Sequence, residues 1–213
     1  MQILDKISKD LQNGSMDGVQ EGINKALKEG IESEKILHEG LMAGMKVIGE
    51  KFKNDEIFVP GVLVAARAMN SGMEILKPKL IESGVESEGT VVIGTVKGDL
   101  HDVGKNLVSM MLEGAGFDVY DLGTDVPAEE FVSKVKEVDA DIVGLSALLT
   151  TTMNEMETVI EALKEAGIRD KVRIMVGGAP ITEDFANDIS ADFYAKNAAE
   201  ASNIAKSFKD KIA

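Results

Sequence analysis

The sequence predicts two units of different class, α followed by α/β: an N-terminal four-helix bundle, then a five-stranded parallel sheet with helices on both faces. Three observations carry this reading. From Gln2 to about Glu82 the apolar residues recur at helical spacing, as in Leu37, Leu41, Met45, Ile48 and Phe52. The stretch ESGVESEG, Glu82 to Gly89, is small, polar and acidic, and the pattern changes across it. After it, short β-branched runs alternate with helical stretches. The expected division is a bundle over 1–82, a linker over 83–89 and the α/β unit over 90–213.

In the first unit Gly14 and Gly30 stand where helix ends favour a left-handed residue, and Ser33 and Pro60 stand at helix starts. These signals predict helices near 2–13, 16–29, 33–53 and 60–82, linked closely enough to form a bundle. In the second unit the runs TVVIGTV, FDVYDLG, DIVGLSAL, VRIMVGG and ADFYA are the five strands. Right-handed crossovers between them give a flavodoxin/Rossmann-like sheet of order 2-1-3-4-5. In such sheets the ligand crevice lies beyond the carboxyl ends of strands one and three. The loops there are KGDLHDVG and ALLTTT, so one histidine and several hydroxyls are expected to face the crevice.

Composition removes several function classes. Asp and Glu outnumber Lys and Arg by 37 to 23, a formal charge of -14, which is the wrong sign for affinity to phosphate backbones, so nucleic acid is not an expected partner. The chain has no cysteine, which excludes disulfides, zinc–thiolate clusters and thiolate catalysis. The start MQILDKISKDLQNG lacks the basic and apolar blocks of a signal peptide, and no run approaches the ~20 apolar residues of a membrane span. A cytoplasmic protein without membrane partners is expected.

The chemistry concentrates in one loop. Gly98 and Gly104 bracket Asp99, Leu100, His101, Asp102 and Val103, which allows a sharp turn and the close approach of a large planar ligand. Asp99, two residues before His101, can hold one ring nitrogen while the other points outward as a metal ligand. One histidine cannot hold a bare transition-metal ion tightly, so the metal is expected to arrive inside a macrocycle.

DLHDVG, Asp99 to Gly104, matches the Asp-x-His-x-x-Gly signature of cobalamin-binding proteins, SAL at Ser146 to Leu148 matches their Ser-x-Leu element, and Gly177-Gly178 match their paired glycines. With GEKFKNDEIFVPGVLVAARAM at Gly49 to Met69, the whole chain resembles the cap and cobalamin-binding modules of cobalamin-dependent methionine synthase and of the small corrinoid methyl carriers of anaerobic methyltransferase systems. The resemblance implies cobalamin or a related corrinoid bound base-off/His-on: the benzimidazole tail leaves the cobalt, and His101 becomes its lower axial ligand. It implies that Asp99 holds the far nitrogen of His101. Thr152, where the family carries a serine, then extends the relay. It further implies that Ser146, Leu148 and Thr150 line the tail slot, that Gly177 and Gly178 make room for the nucleotide, and that Phe58 covers the upper face of the ring.

The function so implied is a methyl carrier, one component of a multi-component corrinoid-dependent methyltransferase. A substrate-specific methyltransferase loads it, an acceptor methyltransferase passes the methyl group to tetrahydrofolate or a thiol such as coenzyme M, and a reductive activase restores it. In this cycle Phe58 moves aside for each partner, with a hinge expected at Glu82 to Gly89. Alternative readings are the cobalamin subunit of a radical mutase, which shares the histidine motif without this cap, and a cobalamin sensor or storage protein. His38 is expected to be a partly buried structural residue at the apolar edge of its helix, and Met42, Met45, Met69 and Met73 are expected to fill the core.

Overall fold

The computed structural model describes residues 3–83 and 87–212. The chain divides into two compact units, Met1–Ser87 with Gly114–Gly116, and Glu88–Glu113 with Phe117–Ala213. Residues 84–86, and with them the middle of the expected linker and hinge, lie outside the described residues.

The first unit is helical. Helix α1 (Ile3–Gln12) packs on α2 (Met16–Lys28), whose N-cap Ser15 accepts a hydrogen bond from Gly18 N–H through its side chain. Gly14 and Gly30 close these two helices with φ of +70° and +79°. The third helix spans residues 33–53, with α-helical ends α3 (Ser33–Lys35) and α4 (Ala43–Lys53) joined by a π-helical stretch, Ile36–Met42. Helix α5 (Val59–Glu82) carries Pro60 in its first turn, where the missing N–H costs nothing. Ile7, Leu11, Val19, Ile23, Leu41, Met69 and Leu76 are all but inaccessible and form the core. Met42 and Met45 are buried with them, and Met73 is half-buried, in keeping with methionine as core filler.

The π stretch corrects one expectation. His38 is exposed, not partly buried. A continuous α-helix would set His38 beside the apolar seam, but here Ala43 N–H reaches back five residues to His38 O. The widened turn buries Gly40, Leu41 and Met42 consecutively and leaves His38 and Glu39 in solvent.

The second unit alternates strand and helix. In order come β1 (Thr90–Thr95), α6 (Val103–Glu113), β2 (Asp118–Asp121), α7 (Ala128–Val138), β3 (Ile142–Ser146), α8 (Glu155–Glu165), β4 (Arg173–Gly177), α9 (Glu183–Asp188), β5 (Phe193–Tyr194) and α10 (Ala198–Ile212). The sheet is parallel throughout, in the order β2-β1-β3-β4-β5 that the sequence predicts. Helix α6 pairs with α10, and α7 pairs with α8, giving a helical layer on each face. Val92, Val143, Leu145, Ile174 and Val176 turn to the α7–α8 side and pack on Phe131, Val135, Met156 and Ile160. The two-residue alternation of a strand then sends Thr95, Ser146 and Gly177 to the opposite face. The register aligns those three residues in one row, Thr95 against Ser146 and Ser146 against Gly177. A strip of small side chains thus ends the three central strands, where the sheet order reverses.

Candidate functional site

The loop after β1 opens with a tight turn. Asp99 N–H donates to Val96 O at 3.2 Å, and Gly98, the third residue of that turn, has φ of +80°, a value that favours glycine. The turn drives the Asp99 side chain into the sheet end, where its residue is fully buried. Two hydrogen bonds end on Oδ1, from His101 N–H (3.1 Å) and His101 Nδ1 (2.7 Å). Three end on Oδ2, from Leu148 N–H (2.8 Å), Leu149 N–H (3.2 Å) and Thr152 Oγ1 (2.8 Å). Burial by itself pushes this carboxyl up, but the bonds from Leu148, His101 and Thr152 outweigh it and hold Asp99 well below the usual carboxylate range. Asp99 is therefore anionic at neutral pH, and His101 carries its proton on Nδ1.

Thr152, also buried, lies 2.8 Å from Asp99 Oδ2 and 3.1 Å from Leu149 O. Its single hydrogen goes to the nearer, charged acceptor. The result is a continuous chain Thr152–Asp99–His101 that ends on a half-exposed imidazole whose Nε2 is the ring's other nitrogen. The main chain of His101 is held as well, because buried Thr95 Oγ1 donates to His101 O at 2.8 Å.

Around this imidazole the surface is apolar. Leu100 is 73% exposed and Val103 67%, and Leu148 and Leu149 are each about two-fifths exposed. Large apolar side chains gathered beside one polar group in this way mark a covered surface. Asp102 precedes α6, accepts Asn106 N–H at 2.7 Å through its carbonyl and lies exposed beside His101. Gly104, in the first turn of α6, has no atom within 4 Å of where a Cβ would stand, so a ligand can approach the backbone there. Ser146 is half-buried in the small-residue row, and Thr150 is exposed.

The paired glycines serve the chain's own packing first. A Cβ on Gly177 would stand 2.9 Å from Ala195 O, and one on Gly178, whose φ is +132°, would stand 1.8 Å from Ala147 O. A side chain at either position would therefore meet backbone. Gly178→Ala is accordingly predicted to destabilise the protein by about 3 kcal/mol or more, read as a lowered urea midpoint, whatever it does to ligand binding. A midpoint equal to wild type would show that this backbone can yield. Phe58, in the first unit, stands just before α5, accepts Gly61 N–H at 2.8 Å and is 71% exposed.

The donor set fits one kind of metal cofactor. Among the described residues no three His, Asp or Glu side chains converge to hold a bare ion. A macrocycle that brings its own equatorial nitrogens needs from the protein one axial ligand and an apolar seat. His101 and the four exposed apolar residues are groups of the kind that would meet these two needs. Leu149, Thr95 and the loop after β2 were not singled out from the sequence; only the hydroxyl of a strand-end threonine and the DVP turn hinted at them.

Both units match family models described as B12 binding domain, over residues 3–77 and 89–202. The chain is 47% identical over 202 residues to a dimethylamine corrinoid protein of Methanosarcina acetivorans, covering 94% of this chain and 93% of that one. It is 51% identical over 178 residues to a trimethylamine corrinoid protein of the same organism, covering 83% and 82%. Among solved structures, the methanol:cobalamin methyltransferase complex of Methanosarcina barkeri matches at 35% identity with a TM-score of 0.88, covering 98% of this chain and 80% of that chain.

Proposed function

We propose that this chain, which belongs to the B12-binding domain family through both of its units, binds a corrinoid with His101 as its axial ligand and carries a methyl group between two methyltransferases. The observation that carries this reading is the buried Asp99 carboxylate, which fixes Nδ1 of a half-exposed His101 inside an apolar rim. When bound, the corrinoid supplies a cobalt that takes up a methyl group and gives it away. The protein's part is to orient, to exclude water and to handle a proton. Asp99 and Thr152 keep Nε2 of His101 aimed outward, so no reorganisation is needed when the ligand bond forms. An Nε2 free of any ligand bond would be the atom at which this relay holds a proton, with anionic Asp99 beside Nδ1–H balancing the charge.

Ser146, in line with Thr95 and Gly177, borders the slot for the benzimidazole tail, with Leu148 and Thr150 at its mouth. The donor side is a substrate-specific methyltransferase. Dimethylamine and trimethylamine are the first donors to test, since relatives at 47% and 51% identity are corrinoid proteins named for them. An acceptor methyltransferase and a reductive activase complete the cycle, which we place in the cytoplasm. No described helix is long and apolar enough to cross a membrane.

The direct test is reconstitution. Purified chain should bind one cobalamin with its tail displaced, bind a tail-less analogue more weakly, and transfer a methyl group when paired with a methylamine:corrinoid methyltransferase. Binding of complete cobalamin with its tail still on cobalt would refute the reading.

Phe58 is assigned to the upper face as a lid. Because its side chain is exposed, Phe58→Ala should change folding stability by no more than ~0.5 kcal/mol. It should speed the photolysis of methylated holoprotein several-fold, because a radical freed under light recombines less often without the ring above it. Equal photolysis rates at matched occupancy would remove Phe58 from the site.

A further inference from the structure

Four non-glycine residues among those described have positive φ: Asp55, Asp125, Asp139 and Ser190. Three sit at helix ends, where a left-handed residue is the usual way to finish: Asp139 is the C-cap of α7, and Asp55 and Ser190 directly follow the C-caps of α4 and α9. Asp125, with φ of +57°, closes no helix. It lies in the loop between β2 and α7, and such strain away from a helix end calls for a local cause.

The cause is visible in its partners. Asp125 Oδ1 accepts the N–H of Gly98 at 2.7 Å, and Asp125 N–H donates to the carbonyl of Asp99 at 2.9 Å. One residue, itself left-handed, thus grips both ends of the Gly98–Asp99 unit. The gripping loop is itself tied down. Thr95 N–H donates to Gly123 O, Val126 N–H donates to Thr95 O, and Val96 and Val126 form a parallel bridge that prolongs the β1–β2 pairing. Asp121, at the end of β2, accepts Gly123 N–H and pairs with Lys105 of α6, whose side chain is buried. The loop after β2 is therefore a rigid bracket held from β1 and from α6.

We infer that Asp125 is a positioning residue: its carboxylate and N–H clamp the Gly98–Asp99 turn and so fix the Asp99 carboxylate that orients His101. The Asp99 carboxylate receives three bonds from the loop after β3 and two from His101, but those bonds do not determine where its own backbone stands. Without the clamp the turn could pivot about Gly98, and the Asp99–His101 pair would lose its register with the crevice. The inference rests on the reading of His101 as axial ligand, and goes beyond it by naming what holds the relay's main chain.

The test uses the full chain and three variants. Asp125→Gly keeps the positive φ at no cost and removes only the carboxylate. Asp125→Asn also tolerates this backbone and offers a carbonyl oxygen to the same Gly98 N–H. Arg169→Ala cuts bonds to Ser190 O and Asp192 at the opposite end of the sheet, and serves as a stability control. In apoprotein, amide exchange at Gly98 should quicken about tenfold in Asp125→Gly, and NMR of the ring nitrogens should show His101 losing its single Nδ1–H tautomer. After loading with cobalamin, the fraction of cobalt(II) showing axial nitrogen splitting should fall several-fold in Asp125→Gly. Asp125→Asn should stay near wild type in all three measurements, and Arg169→Ala should lower the melting temperature while leaving all three unchanged. Wild-type exchange and tautomer in Asp125→Gly, equal losses in Asp125→Asn, or the same losses in Arg169→Ala would overturn the inference. The apoprotein measurements decide the clamp even if wild-type holoprotein lacks axial nitrogen, a result that would instead overturn the axial-ligand reading.

Discussion

Replacing His101 by alanine should abolish the nitrogen superhyperfine splitting in the cobalt(II) electron paramagnetic resonance spectrum of the loaded protein. The expected loss is complete because the site offers one ligand and no substitute. His38, the chain's other histidine, is exposed on a helix of the first unit, in a π-helical turn, and no carboxylate relay stands behind it among the described residues. The His101 ring, by contrast, is fixed through Nδ1 and through its main-chain carbonyl. Added imidazole should restore the splitting in the alanine variant, since Asp99 still stands at the back of the vacated space and can hold a free ring by the same bond. Unchanged splitting in the variant would dismiss His101 as the ligand.

The second large effect belongs to Asp99. Asp99→Asn puts an amide where two oxygens receive five hydrogen bonds, and a single amide oxygen cannot satisfy both groups of donors. With the part-buried N–H groups of Leu148 and Leu149 left facing an NH2 or nothing beside a buried amide, the loss should be about 2 kcal/mol at pH 7. The pH dependence has a definite sign. Asp99 in the folded chain is held below its unfolded value, near 3.9. Its contribution is thus fully present above that value and is lost as pH falls through the folded pKa, because the unfolded state binds the proton first. The gap in urea midpoint between wild type and Asp99→Asn should therefore begin to narrow as pH falls below about 4 and go on narrowing toward the folded pKa. A gap that stayed constant down to pH 2 would mean that the carboxylate's charge is not what the five donors stabilise.

Much of this arrangement could be read from the residues alone, and the exceptions have physical causes. Helical period and end signals located the bundle helices, and β-branched runs located five strands whose order follows from short right-handed crossovers. The bond between Asp99 and His101 follows from a separation of two residues in an extended loop, so it too was legible. The π stretch at Ile36–Met42 was not, because a single widened turn leaves the surrounding apolar spacing nearly intact while reversing the exposure of His38. The role of Leu149 was hidden because it is a main-chain donor, which side-chain identity does not report. Asp125 was hidden for a different reason. Crevice reasoning considers the two strands flanking the reversal point, β1 and β3, whereas the clamp comes from β2 through a register that only the paired structure reveals. The requirement for Gly177 and Gly178 was visible in the sequence, but not that Ala195 and Ala147 impose it.

The strand order also sets a timetable. The first strand made lies inside the sheet, between the second and the third, and the buried carboxylate beside it finds three of its five donors in residues synthesised 49, 50 and 53 positions later. A ribosome adding about 5–20 residues per second delivers the histidine loop seconds before the donors to Asp99 Oδ2 exist. During that interval the helical unit is already free to fold, while the loop hangs from a strand with no neighbour on one side. A nascent chain at this stage has the Asp99–His101 pair but neither Thr152 behind it nor the finished row of Thr95, Ser146 and Gly177. The crevice is thus complete only after the fourth strand has paired, late in the making of a sheet whose first strand carries the histidine loop.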